Sequence, residues 1–268
     1  MINKKISLST EDSEIFLETF VPDSLERTKK AILVIPGGGY SGICDDREGE
    51  PIALAFLAHG FASFVLHYST GRKRPYPAQL IEASLAIKHI KDCSEEYGID
   101  PENVFVTGFS AGGHLSACLG TMWHRDEIYE NIDMPFGYNK PKGMILCYPV
   151  ISADENIRNF GSFQNLLCTD TPSSEELDYV SIENWIDEKS APCFIMHTSN
   201  DRTVNVGNAL AIANAYAKKG MTFELHIYPD APHGVALGNE ITKCGEKKWC
   251  NESISKWVEN AVLWIDNI

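Results

Sequence analysis

Five short runs of almost unbroken apolar residues, Ala31–Ile35, Phe61–Leu66, Val104–Thr107, Met144–Cys147 and Phe194–His197, constrain this chain more than any other feature. A strand with water on one face alternates polar and apolar residues, so a run that is apolar throughout needs cover on both faces. Between the runs lie helix-like stretches, EPIALAFLAHG, PAQLIEASLAIKHIKDCSEEYG and NALAIANAYAKKG. They close on Gly60, Gly98 and Gly220, where left-handed C-caps belong. The more alternating Phe223–Tyr228 adds a strand, and KKISLST and IFLETF add two more as a hairpin around an acidic turn, forming an antiparallel edge. The expected architecture is therefore α/β, a mostly parallel twisted sheet of about eight strands flanked by helices. In ISKWVENAVLWI, the stripe Ile254, Trp257, Val258, Ala261 and Trp264 predicts a closing helix packed on that sheet.

One domain over residues 1–268 suits this length. The alternation breaks once, at 151–190, where a long polar and aromatic stretch separates two apolar runs and is expected to form a small cap or lid. A net charge of −14 argues against nucleic acid or anionic membranes as partners. MINKKISLSTEDSE has no apolar core behind its lysines and no run reaches membrane-spanning length, so a cytoplasmic location is expected. The eight cysteines form no CxxC pair, which points to mostly buried thiols and to no metal or other cofactor. A homo-oligomer is compatible with the sequence.

The chemistry concentrates at VFVTGFSAGGHLSA, residues 104–117. Gly108-Phe109-Ser110-Ala111-Gly112 matches G-x-S-x-G, and it stands where an apolar strand gives way to a helix, the setting of a nucleophile elbow. The alternative is a serine that only caps the helix. Upstream, ILVIPGGGYSG places three glycines directly after a buried strand, where unobstructed amides could face an oxyanion. One donor would come from Gly38 or Gly39, with Tyr40 as a third candidate and a candidate substrate contact; the other would be the Ala111 amide.

A serine hydroxyl needs a base, and the base needs a carboxylate. Of eight histidines, His233 in IYPDAPHGVALG lies on a loop after the last strand, free to reach over the sheet edge, while His197 ends a strand and suits a supporting place. Asp201 in HTSNDRTVNV leaves the end of an intermediate strand; Asp154 and Asp230 are weaker alternatives. The order Ser110, Asp201, His233 is the nucleophile-acid-base order of the α/β-hydrolase fold.

On these motifs, together with GGGYSGICDDREGEPIALAFLAHG, PYPAQL and FGSFQNLL, the chain resembles the α/β-hydrolase superfamily. Within it, the chain is similar to bacterial esterases grouped with acetyl-xylan esterases, often labelled endo-xylanase-like or lipase-like. One departure is Pro36, where hormone-sensitive-lipase relatives carry the His of His-Gly-Gly-Gly. The resemblance implies a serine esterase acting through an acyl-enzyme on a small-molecule ester, with acetyl groups on xylose-type sugars as the expected substrate. A general short-chain carboxylesterase or deacylase is the alternative, with a peptidase or a non-catalytic binding module further off.

Overall fold

A computed structural model describes residues 1–10, 12–23 and 28–268. Eight strands, β1 (Lys5–Ser7), β2 (Phe16–Phe20), β3 (Ala31–Ile35), β4 (Ala62–His67), β5 (Val104–Phe109), β6 (Met144–Cys147), β7 (Cys193–Thr198) and β8 (Phe223–Tyr228), form one sheet in the order β1-β2-β4-β3-β5-β6-β7-β8. The first hairpin and the β2/β4 pair are antiparallel, and every later pair is parallel. Glu11 of the expected acidic turn lies outside the described residues.

The helices are α1 (Asp45–Glu48), α2 (Glu50–Ala58), α3 (Ala78–Asp92), α4 (Ser94–Tyr97), α5 (Ala111–Thr121), α6 (Asp126–Tyr129), α7 (Phe160–Leu166), α8 (Ser174–Tyr179), α9 (Gly207–Lys219) and α10 (Trp257–Asp266). Alternate residues of each strand enter different cores. Leu33 and Ile35 join Leu115 of α5, Ile87 of α3 and Ile212 of α9 on one face. Ile32 and Val34 join Phe56 of α2 and Trp257 and Trp264 of α10 on the other. All five residues of β3 are fully buried, which is why its sequence shows no alternation. Each such Val, Leu or Ile side chain contributes roughly 1.5–3 kcal/mol relative to remaining exposed.

From β3 the chain crosses to β4 on one side and then returns to β5 on the other, so the direction of winding reverses between the carboxyl ends of β3 and β5. Open α/β sheets bind ligands in the crevice at such a reversal. The glycine loop leaves β3 there, and the serine turn leaves β5.

Two expectations are corrected. The stretch expected as one helix over 77–98 divides at Cys93, whose amide donates to both His89 O and Lys91 O; α4 then ends on left-handed Gly98, bringing buried Tyr97 against Phe64. Only three cysteines, Cys118, Cys147 and Cys193, are fully buried, and Cys244 is exposed. The 151–190 insertion buries Phe163, Leu166, Val180 and Ile182 in the same core as α5 and α9. Its later part, including the 3-10 turn Ile182–Trp185, packs on α5 and α9, while α7 faces the crevice, where Asn165 Nδ2 donates to Gly39 O at 2.9 Å. Among the described residues no helix is long and apolar enough to cross a membrane.

Candidate active site

Ser110 is the single residue between β5 and α5, with φ 52° and ψ −118°. A left-handed φ is unfavourable for any residue with a side chain, and two close approaches hold it. A Cβ at Gly108 would lie 2.1 Å from Ser116 Oγ and 2.2 Å from the Gly112 carbonyl; one at Gly112 would lie 2.1 Å from the Ile35 carbonyl. Neither position admits a side chain, so strand, turn and helix pack backbone to backbone, and the Ser110 amide donates to Cys147 O at 3.0 Å.

The structure brings Ser110, His233 and Asp201 together. His233 Nε2 lies 2.9 Å from Ser110 Oγ, and His233 Nδ1 lies 2.7 Å from Asp201 Oδ2. Asp201 Oδ1 accepts from the amides of Thr203 at 2.8 Å and Val204 at 3.0 Å. Burial alone would raise this carboxyl, but His197, His233 and the Val204 amide outweigh it and hold it well below the usual range. An ionised Asp201 only accepts, which assigns the proton to Nδ1 and leaves Nε2 free to accept the serine proton. Tyr148 meets the His233 ring edge to face at 5.1 Å.

His197 is fully buried; its Nε2 lies 3.0 Å from Val204 O and 3.5 Å from Asp201 Oδ2, so it supports the acid from behind. Asp154 is exposed and accepts from Asn156, and Asp230 is exposed and accepts from Asn200; neither reaches His233. His114 is fully buried, with Nδ1 accepting from Tyr40 Oη at 2.8 Å and Nε2 donating to Val180 O at 2.8 Å. Burial pushes its pKa down to about 4.

Tyr40 is a correction: its ring lies in the core, 1% exposed, with Oη on His114 Nδ1, so its side chain is not a substrate contact. The Gly37 N–H is engaged, donating to Glu48 Oε2 at 2.9 Å. Among the described residues no hydrogen bond engages the amides of Gly38, Gly39 or Ala111. Gly38 and Gly39 line, with Ser110 and His233, a cavity of about 210 Å³.

The same cavity is lined by residues that sequence reasoning missed: Arg47 and Glu48 of α1, Cys44, Asn159, Ser162 and Thr203. Glu48 is 2% exposed and accepts from Tyr148 Oη at 2.9 Å as well as from Gly37; Tyr148 Oη in turn accepts from the Ala236 amide at 3.0 Å. One carboxyl thus ties the glycine loop to the loop carrying His233. Burial raises its pKa, opposed by Tyr148, Arg47, His233 and the Gly37 amide. Tyr148 follows β6 as Ser110 follows β5, and that shared position was the available signal. Outside the cavity, Glu18, Asp45 and His67 bring ligand atoms within 4.8 Å of one another, the only such cluster of metal-binding types among the described residues.

Residues 17–216 match the BD-FAE family model. Over 216 residues, 79% of this chain and 33% of the relative, the chain is 34% identical to endo-1,4-beta-xylanase B of Butyrivibrio fibrisolvens. It is 31% identical to an acetylxylan esterase of Xylanibacter ruminicola over 240 residues, 88% of this chain and 47% of that protein. The chain therefore spans about a third to a half of these curated relatives. The crystal structure of an acetyl ester-xyloside bifunctional hydrolase from Caldicellulosiruptor lactoaceticus superposes with a TM-score of 0.84 at 31% identity, covering 98% of this chain and 96% of that one. The doubly covered sheet, the crevice at its winding reversal and these likenesses agree, and the chain belongs to the BD-FAE family of α/β hydrolases.

Proposed function

We propose that this chain is a serine carboxylic-ester hydrolase working through an acyl-enzyme. The observation that carries the reading is the position of His233, within hydrogen-bond reach of Ser110 on one nitrogen and of Asp201 on the other. Ser110 Oγ attacks the ester carbonyl while His233 Nε2 takes its proton. Asp201 orients the ring and stabilises the imidazolium. The oxyanion of the tetrahedral intermediate accepts from the Ala111 amide and from Gly38 or Gly39. On collapse, His233 returns the proton to the departing alcohol; water, deprotonated by the same nitrogen, then releases the acid and restores Ser110.

The substrate reading is a small acyl group, acetyl above all, on a hydroxylated alcohol such as a sugar. The cavity is small, and Asn159, Ser162 and Thr203 give its wall polar side chains suited to hydroxyl groups. The relatives' names, acetylxylan esterase and acetyl ester-xyloside hydrolase, support the same class. The start of α7 serves as one wall of the site, the portion of the expected cap that has a substrate role.

The test is Ser110→Ala. Its urea unfolding should match or exceed that of the parent, while turnover of 4-nitrophenyl acetate falls by on the order of 10⁶, towards the background of oxyanion-hole and binding effects alone. Undiminished turnover removes the serine mechanism.

A further inference from the structure

Arg47 is a cation without an oxygen to hold. Its Nη1 and Nη2 lie 3.9 Å from Cys244 Sγ and 3.8 Å from Cys44 Sγ, both weak acceptors. Its Nε is buried with no partner, and its face covers Trp249 at 5.2 Å. The charge of Glu48, its neighbour in sequence, favours the guanidinium, but the Glu48 oxygens are hydrogen-bonded to Gly37 and Tyr148 and leave the Arg47 donors unmet. Among the described residues no carboxylate oxygen comes within 4.0 Å of the Arg47 guanidinium. A half-buried guanidinium is costly when its donors are unmet, and this one lines the cavity that holds Ser110.

Its place relative to His233 defines which part of a substrate it would meet. A Cβ at Gly234, the residue after His233, would lie 3.2 Å from Arg47 Nη2. In the ester reading, on which this inference rests, His233 hands its proton to the departing alcohol, so the alcohol occupies the histidine side of the cavity. We propose that Arg47 is a specificity-determining residue that binds a carboxylate on the alcohol part of the ester, making acetylated acidic hydroxy compounds, such as acidic sugars, the preferred substrates. The chain's charge of −14 repels anions at long range, so this preference comes from contact: two N–H donors to two carboxylate oxygens in the fork geometry of guanidinium.

The experiment compares 4-acetoxybenzoate with 4-acetoxybenzamide, which share acyl group and ring and differ in the charge of the alcohol. The parent should show the higher kcat/KM for the benzoate. The benzoate-to-benzamide ratio should fall on the order of ten- to a hundredfold in Arg47→Met, the effect of losing charge-assisted hydrogen bonds, with partial recovery in Arg47→Lys. An equal ratio in parent and Arg47→Met overturns the proposal. So does a preference found only when the carboxylate is on the acyl side, as in 4-nitrophenyl hemisuccinate against 4-nitrophenyl methyl succinate. Should Arg47→Met not fold, the parent alone decides: 4-hydroxybenzoate must inhibit 4-nitrophenyl acetate turnover at lower concentration than 4-hydroxybenzamide, and equal inhibition overturns the assignment. Turnover of the neutral ester by the parent, lost in Ser110→Ala, leaves the serine reading standing whatever the Arg47 ratio; absence of ester turnover in the parent removes the serine reading itself.

Discussion

Two buried carboxyls flank His233, and they are treated in opposite ways. Asp201 sits on the strand-end side with four donors around it: two backbone amides, His233 Nδ1 at 2.7 Å and His197 Nε2 at 3.5 Å. Its charge is overdetermined, and its pKa falls in spite of burial. Glu48 sits on the glycine-loop side with two donors, Gly37 N and Tyr148 Oη, and there burial wins and the pKa rises. Burial raises both, so the opposite directions come from what opposes it: two donors face each Asp201 oxygen and one faces each Glu48 oxygen.

The sharpest way to break that contrast is at Asp201. In the proposed mechanism Asp201→Asn turns an N–H towards Nδ1 or forces the other tautomer, and kcat for 4-nitrophenyl acetate should drop about 10³- to 10⁴-fold. A loss below tenfold would mean that His197 or another group already orients the ring.

A smaller effect is expected at Glu48, read as a structural tie. Two donors, Gly37 N–H and Tyr148 O–H, require two acceptors, and glutamine offers one. Glu48→Gln should therefore lower the free energy of unfolding at pH 7 by about 1–3 kcal/mol, the cost of a buried unmet hydrogen bond, measured by urea denaturation. Unchanged stability would show that the two loops are not held through this side chain.

An effect of similar size carries the same rule over to imidazole. His233 is held by a carboxylate, whereas His114 has Tyr40 Oη, the Val180 carbonyl and Cys118 Sγ but no carboxylate, and burial pushes it down to about 4. The unfolded chain binds a proton at this residue below about pH 6.5 and the folded chain does not, so stability is lost as pH falls from about 6.5 to about 4. At pH 5 the loss from this group is about 2 kcal/mol. The difference in urea midpoint between pH 7 and pH 5 should therefore shrink in His114→Gln; an identical difference in both proteins would assign the acid sensitivity elsewhere.

What was legible in the chain follows from range. β3, β6 and β8 stand at the residues where their apolar patterns placed them, because a strand buried on both faces leaves a local trace. The meeting of Ser110, Asp201 and His233 was legible through order and strand-end position. Glu48 and Arg47 were not, since Glu48's partners lie 11 and 100 residues away and DDREGEP reads locally as an ordinary acidic helix start. Tyr40 was misassigned for a related reason. The glycines before it signal a turn but not its course, and in the structure Tyr40, with a φ of 56°, buries its ring in the core.

The backbone at Ser110 has a further consequence. Ser110 holds a φ of 52°, which glycine would tolerate without the cost of about 1–3 kcal/mol that such a conformation carries. The fold thus carries, at the one position between β5 and α5, a side chain that costs it stability. Ser110→Gly would relieve the strain and remove the hydroxyl together, so endurance and the proposed chemistry pull this one position in opposite directions.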